Sequence, residues 1–202
     1  MSETKTLARR ISLIVPNTSL SGENRELANN SGPQSGLERT IDLEHLPEEC
    51  ELRPLPTGYW QIKIKPSLVI GRGTKTEHEY PKIPILGSHI HISQQQLLLT
   101  VTEGLLYARN IGKNSLYYRE SIPSKKIATF ERLESGREIE LDKDILIGYA
   151  LTTPYKESRL PFYKIPLKEF VPLFYLVHNY FNPEHAISDI DRQLKRERIL
   201  GN

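Results

Sequence analysis

A handful of polar side chains in the middle of the chain stand where turns are expected, and their types suit the holding of an anion. Arg72 follows the apolar run Leu68-Val69-Ile70 and Gly71, and its guanidinium is a planar fork of N–H donors. Ser88 follows Gly87, and it adds a small hydroxyl donor in ordinary turn chemistry. Asn114 can donate and accept at once. Lys113 and His89 stand beside these residues and add positive potential. A histidine in that position would make binding depend on pH. A dianion such as phosphate needs this kind of set, charge-assisted donors held in a fixed arrangement.

Other chemistries find less support. His89 and His91 form a His-x-His pair, and residues two apart on a strand face one side. Third and fourth metal ligands are missing, because the chain has 1 Cys and its carboxylates are scattered. No metal and no cofactor are therefore expected. Gly71-Arg72-Gly73 lacks the Gly-Lys-Thr and the following helix of a nucleotide loop. There is no Gly-x-Ser-x-Gly elbow, no kinase set and no His-Glu-x-x-His, so no enzyme is expected. Cys50 lies among Glu48, Glu49 and Glu51, which disfavour its thiolate.

A single cysteine forms no internal disulfide and points to a reducing compartment. Ile11–Val15 is too short for a signal-peptide core, and no run approaches a membrane span. A soluble, intracellular, cytoplasmic protein is expected, with the nucleus left open. Lys+Arg is 27 against Asp+Glu 25 over 202 residues, so the chain is neither a nucleic-acid wrap nor an acidic tail.

Three segments must carry and position these residues. Residues 1–58 are rich in Ser, Asn, Gly, Glu and Pro, carry 6 basic and 9 acidic groups, and have few large apolar residues at any period. They read as a mostly disordered tail. Two short stretches stand out in it: Arg9–Val15, and Leu37–Leu46 as a brief helix or docking segment. Residues 59–158 are a succession of short strand patterns. Tyr59–Ile64 alternates apolar and polar residues, and Leu68–Ile70, Ile83 and Ile85, Ile90 and Ile92, Leu97–Val101 and Leu105–Ala108 continue. Leu116–Tyr118, Ile127–Phe130, Ile139–Leu141 and Ile145–Ile147 follow, which argues for a β-sandwich. Residues 159–202 read as a helical extension. Leu167, Phe170, Val171, Phe174, Val177 and Phe181 recur at three- and four-residue spacing, and Asn182-Pro183 opens a second helix.

On this background residues 68–148 resemble a forkhead-associated (FHA) domain, a phosphothreonine-binding β-sandwich. Leu68-Val69-Ile70-Gly71-Arg72 matches the strand ending in Gly-Arg. Ser88-His89-Ile90-His91 matches Ser-x-x-His, with His89 where the family has Arg. Asn110-Ile111-Gly112-Lys113-Asn114-Ser115-Leu116 keeps the key Asn at Asn114, with Ser115 and Leu116 in place of Gly and Thr. Asp142 and Gly148 match the closing Gly-Asp-x-Ile-x-Ile-Gly-like segment.

The resemblance implies an FHA-like antiparallel sandwich and a non-enzymatic, phosphothreonine-dependent binding module or adaptor. It assigns phosphopeptide contact to Arg72, Ser88 and Asn114, with Lys113 and His89 on the rim, and structural support of the site to Gly71 and His91. The implied partner is a phosphothreonine protein or peptide, one candidate being the chain's own N-terminal tail through Thr40 or another tail threonine. A second partner, or self-association, would use the aromatic C-terminal helices. Two alternatives stay open. The departures at His89, Ser115 and Leu116 fit a degenerate FHA-fold scaffold without phosphate recognition. A transcription-associated regulator would touch DNA through the C-terminal helices, although Asp189, Asp191 and Glu197 interleave with the basic residues there. Neither membrane nor nucleic acid is an expected partner.

Overall fold

Short runs of β-branched, aromatic and leucine residues between polar turns make strands almost throughout the structure. The computed structural model describes residues 11–16, 40–55, 59–65, 67–75, 79–103, 105–119 and 127–178. They form β1 (Ile11–Pro16), β2 (Glu51–Leu55), β3 (Tyr59–Ile64), β4 (Leu68–Arg72), β5 (Lys82–Ile85), β6 (Leu97–Thr102) and β7 (Leu105–Asn110). There follow β8 (Leu116–Arg119), β9 (Ile127–Leu133), β10 (Glu138–Glu140), β11 (Ile145–Ala150), β12 (Tyr155–Lys156), β13 (Phe162–Pro166) and β14 (Phe170–His178). Two 3₁₀ turns, Leu43–His45 and Leu167–Glu169, are the only helical elements among the described residues.

The strands form two sheets. The larger runs β12-β13-β9-β8-β11-β14-β1-β3-β2, and the smaller runs β10-β7-β6-β4-β5. Only the β4–β5 pair in these sheets is parallel. Leu13, Ile62 and Ile147 of the large sheet and Ile70, Ile83 and Leu99 of the small one share one buried cluster, so the sheets face each other across a core. A mainly β, two-sheet architecture agrees with the sequence reading.

The N-terminal expectation needs correction. β1 is an interior strand, paired on one side with β14 and on the other with β3. Ser12, Leu13, Ile14 and Val15 are all buried. A strand buried on both faces needs only a short apolar run, which in a polar neighbourhood reads as an isolated patch. Ile41 bridges to Ile85, and Leu43 and Leu46 pack on the core. Thr40 is 1% exposed and its hydroxyl donates to the Leu173 carbonyl. A phosphate on Thr40 would have no room without opening this contact, so Thr40 is not the tail phosphothreonine suggested by the sequence.

The helix expected over residues 167–181 is replaced by β14 as far as His178. β14 sits between β11 and β1, with Leu173, Phe174 and Leu176 in the shared core and Phe170 and Tyr175 in a cluster on the other face. Burial on both faces produces apolar spacings of three and four without a helix. Between Ile147↔Phe174 and Gly148↔Pro172 the register shifts, leaving Leu173 as the extra residue of a bulge. Pro172 is tolerated at this irregularity. The helix expected from Asn182-Pro183 lies outside the described residues. Ile90 and Ile92, expected to extend a strand, lie in a turn, and Ile90 is 68% exposed.

Cys50 packs beside this core and is half-buried. Burial, and secondarily the Glu49 carboxylate, push its thiol up to about 11. From the ordinary value of 9.0 that is roughly 100-fold less thiolate at mildly alkaline pH. Alkylation of the native protein near neutral pH is therefore expected to be slow and to accelerate sharply in denaturant, as read by mass spectrometry over time. Leu13→Ala, at a fully buried position of β1, is expected to destabilise the fold by about 2–5 kcal/mol in urea unfolding. Leu52→Ala on the exposed edge should change it by less than about 0.5 kcal/mol.

Candidate functional site

At one end of the sandwich the chain leaves β4, β5 and β7 through three neighbouring loops. Backbone bonds bind these loops together. Arg72 N–H donates to the Ser93 carbonyl, 2.9 Å, and Gly73 N–H to the Ile85 carbonyl, 2.9 Å. Ile111 and Gly112 N–H both donate to the Gln96 carbonyl, at 3.0 and 3.1 Å. Gly71 is required by close approach, since any Cβ there would run into the Gln94 carbonyl. Gly112 is required in the same way, because a Cβ would overlap the Gln96 side-chain amide.

Two buried amides tie the loops side chain to side chain. Gln96 Nε2 donates to Asn110 Oδ1, 2.7 Å, and to the Asn114 carbonyl, 2.8 Å. Its Oε1 accepts from the Ser93 N–H at 2.8 Å. Asn110 Nδ2 donates to the Asn114 and Leu133 carbonyls at 2.9 and 2.8 Å, and its Oδ1 accepts from Gly112 N–H at 3.0 Å. That last bond is an Asx turn, a signal already present in Asn110-Ile111-Gly112. Lys82, 6% exposed, donates its ammonium to the Arg72 and Lys75 carbonyls and so holds the loop after β4.

The loops enclose an open cavity of about 560 Å³, and Arg72, Ser93, Gln94, Lys113 and Asn114 contribute to its wall. Among the described residues no Asp or Glu lines it. Arg72 is half-buried and uses Nε on the Ile92 carbonyl at 3.1 Å. Its terminal nitrogens meet no carboxylate among the described residues. Lys113 is exposed, and its N–H donates to Ser93 Oγ at 3.1 Å. Among the described residues the wall thus offers two cations and neutral donors without an internal counter-ion, an arrangement suited to an anionic group.

Of the residues named from sequence, Arg72, Lys113 and Asn114 meet at this cavity, and Gly71 abuts the Gln94 backbone behind it. Ser88 is exposed in the turn before it and does not line it. His89 is buried, its Nδ1 3.1 Å from the Tyr149 hydroxyl, so it belongs to the interior and not to the rim. The turn bonds Leu86–His89 and His89–Ile92 direct it inward. His91 is exposed and lies with its ring 5.4 Å from that of Tyr149. Its carbonyl accepts from Asn114 Nδ2 at 2.7 Å, so the loops are braced through its backbone.

Sequence reasoning missed Ser93, Gln96, Arg132 and Tyr149. A second cavity of about 420 Å³ adjoins the first at Asn114 and is lined by His91, Ser115, Tyr117, Arg132, Tyr149 and Tyr163 among others. Arg132 Nε donates to Ser115 Oγ at 2.9 Å, and Nη1 is 3.4 Å from Glu134. Its hydrogen bond with Tyr163 raises the guanidinium further above its ordinary value. Burial raises the Tyr117 hydroxyl, keeping it a protonated donor.

No family model, curated protein or solved structure matches the chain. The reading of the site therefore rests on its own geometry.

Gln96→Leu preserves size but removes two donated hydrogen bonds and one accepted one from the buried junction. It is expected to cost about 1–3 kcal/mol in urea unfolding. In amide NMR spectra it should shift or broaden Ser93, Lys113 and Asn114 while leaving the β1 and β3 amides in place.

Proposed function

We propose that this protein is an FHA-like, non-enzymatic binding module that holds a phosphothreonine side chain in the cavity between the three loops. One observation carries the reading. Arg72 and Lys113, on loops far apart in sequence, meet with Asn114 at one open cavity whose lining, among the described residues, contains no carboxylate. A phosphate dianion would supply the missing counter-charge and accept several of these donors at once. Ser93 takes the hydroxyl role that the sequence pattern assigns to Ser88. In this reading the molecule is an adaptor in signalling or regulated assembly, working inside the cell as a soluble protein, and its partner is a phosphothreonine-bearing protein.

A second reading is favoured by a different observation. Asn114 spends its side-chain amide on the His91 carbonyl, 2.7 Å away, and Ser88 stands clear of the cavity. A scaffold derived from the same fold, which binds partners without phosphate, would keep such a rigidified loop. The DNA-contacting alternative gains nothing comparable, since the segment expected to form its first helix is β14 as far as His178.

Fluorescence anisotropy with a degenerate phosphothreonine peptide library separates the two readings. A reader is expected to bind on the order of micromolar, about −8 kcal/mol. Loss of the phosphate or Arg72→Ala should weaken that binding at least roughly tenfold. Equal affinity for phosphorylated and unphosphorylated peptides, with the protein folded, would remove the phosphothreonine reading and leave the scaffold.

A further inference from the structure

We infer that the outer face of the large sheet, the one turned away from the small sheet, is the seat of the chain's own C-terminal segment, residues 179–202, which crosses it as an amphipathic helix and adds a third layer. The inference goes beyond the phosphothreonine reading and does not depend on it.

A two-sheet sandwich buries one face of each sheet and leaves the other to water. The large sheet departs from that rule. Leu13, Ile147 and Phe174 face the small sheet, yet residues that alternate with them are buried as well. Ile14 of β1 pairs with Tyr175 of β14, Tyr175 with Leu146 of β11, and Leu146 with Arg119 of β8. The Arg119 guanidinium lies 4.9 Å from the ring centre of Phe130 in β9. This row crosses five adjacent strands, and its members are between 0% and 7% exposed. Beside it the buried Gln61 Nε2 donates to Ser12 Oγ at 2.8 Å. The described side chains clustered here all come from the large sheet itself or from the 3₁₀ turn Leu167–Glu169. A flat row does not shut out water by its own members, so burial this complete calls for a covering layer.

Connectivity, pattern and charge choose the occupant. Residues 179–202 lie outside the described residues and follow directly on β14, just past Tyr175 of the row. After Asn182-Pro183 their sequence places Ile187, Ile190 and Leu194 at helical spacing. Residues 17–39 have Leu20, Leu27 and Leu37 as their large apolar side chains, and residues 120–126 have Ile122, so neither supplies such a stripe. A helix from Pro183 to Leu200 is about 27 Å long. β1 and β9 stand about 19 Å apart across the sheet, so one helix reaches over the whole row. Arg119 is 6% exposed and keeps its charge when buried, which favours an acid above it. Asp191 falls on the apolar side of the expected helix, four residues after Ile187 and three before Leu194. That place is unfavourable against a purely apolar sheet face and favourable against one that contains Arg119. The stripe is then used within the molecule and is no surface for a second partner.

The test uses the full chain. In a Cys50→Ser background, Ser188→Cys carries a nitroxide spin label, and amide NMR signals are compared with the label oxidised and reduced. The expected result is loss of the Tyr175, Leu146 and Phe130 signals on oxidation. Those of Tyr107 and Arg109, on the outer face of the small sheet, should remain. A second sample mixes spin-labelled chain without isotope and isotope-enriched chain without spin label, and there every signal should remain. Ile190→Asp and Asp191→Arg should each bring the lost signals back. Asp191→Arg combined with Arg119→Asp should lose them again. The Tyr107 and Arg109 signals report in every variant that the sandwich is folded.

Loss of the row's signals in the mixed sample seats a second copy of the chain on this face and overturns the inference. Loss that persists in Ile190→Asp overturns it as well, because the stripe is then not what docks. With no loss in either sample the inference falls, and the face belongs to another segment of the chain or to a separate partner.

Discussion

The buried amide junction between Gln96 and Asn110 is the contact on which the working end of this protein depends. The two side chains pair with each other and with the Ser93 N–H, the Gly112 N–H and the carbonyls of Asn114 and Leu133. Both residues are essentially inaccessible to water. An amide left unmatched there would lose its hydration with nothing in return, so the junction has one good arrangement and several poor ones. Three loops, which as separate segments would sample many conformations, are thereby reduced to one. The glycines at positions 71 and 112 follow from the same constraint, because loop backbones pulled this close leave no space for a Cβ.

The sandwich supplies the frame for that junction by closing contacts that are remote in sequence. β1 lies between β14 and β3, so the start and the end of the described chain share hydrogen bonds at the middle of the large sheet. Thr40 and Ile41 then reach from the Leu173 carbonyl in β14 to Ile85 in β5. Ile85 immediately precedes the loop that carries His89, His91 and Ser93. The same pairing that completes the core thus anchors one wall of the candidate site, and packing in the interior is coupled to loop geometry at the surface.

Charge at this end is arranged by omission. The protein as a whole is close to neutral, at +2, yet among the described residues the two cavities that meet at Asn114 have cationic groups in their walls and no carboxylates. Nearby acids hold partners from outside the two linings: Glu131 accepts from the Tyr118 hydroxyl, Glu169 accepts from Thr152, and Glu134 pairs with Arg132 at 3.4 Å. A field of one sign at a concave end needs no large net charge, because low-dielectric walls concentrate it there. The proposed phosphothreonine role draws on this separation.

Local pattern alone determined most of the strands. Alternation in Tyr59–Ile64 records a strand by its period of two, and the short apolar runs before Gly71 and up to Ile147, buried on both faces, read as strands from their β-branched content and the turn residues that bound them. The resemblance to FHA motifs grouped Arg72, Ser88, His89, Lys113 and Asn114 at one site, and of these Arg72, Lys113 and Asn114 meet at the first cavity. The tertiary structure decided what pattern cannot encode. β1 and β14 are buried on both faces, so one looked like a patch in a polar tail and the other like a helix. That His89, expected on the rim, is buried depends on which way a single turn faces, a turn closed by backbone bonds at Leu86 and Ile92. Ser93, Gln96 and Arg132 matter through partners that are distant in the chain or across the sheet. Sequence spacing carries information about neighbours along a strand, whereas these contacts exist only once separate loops have been brought together.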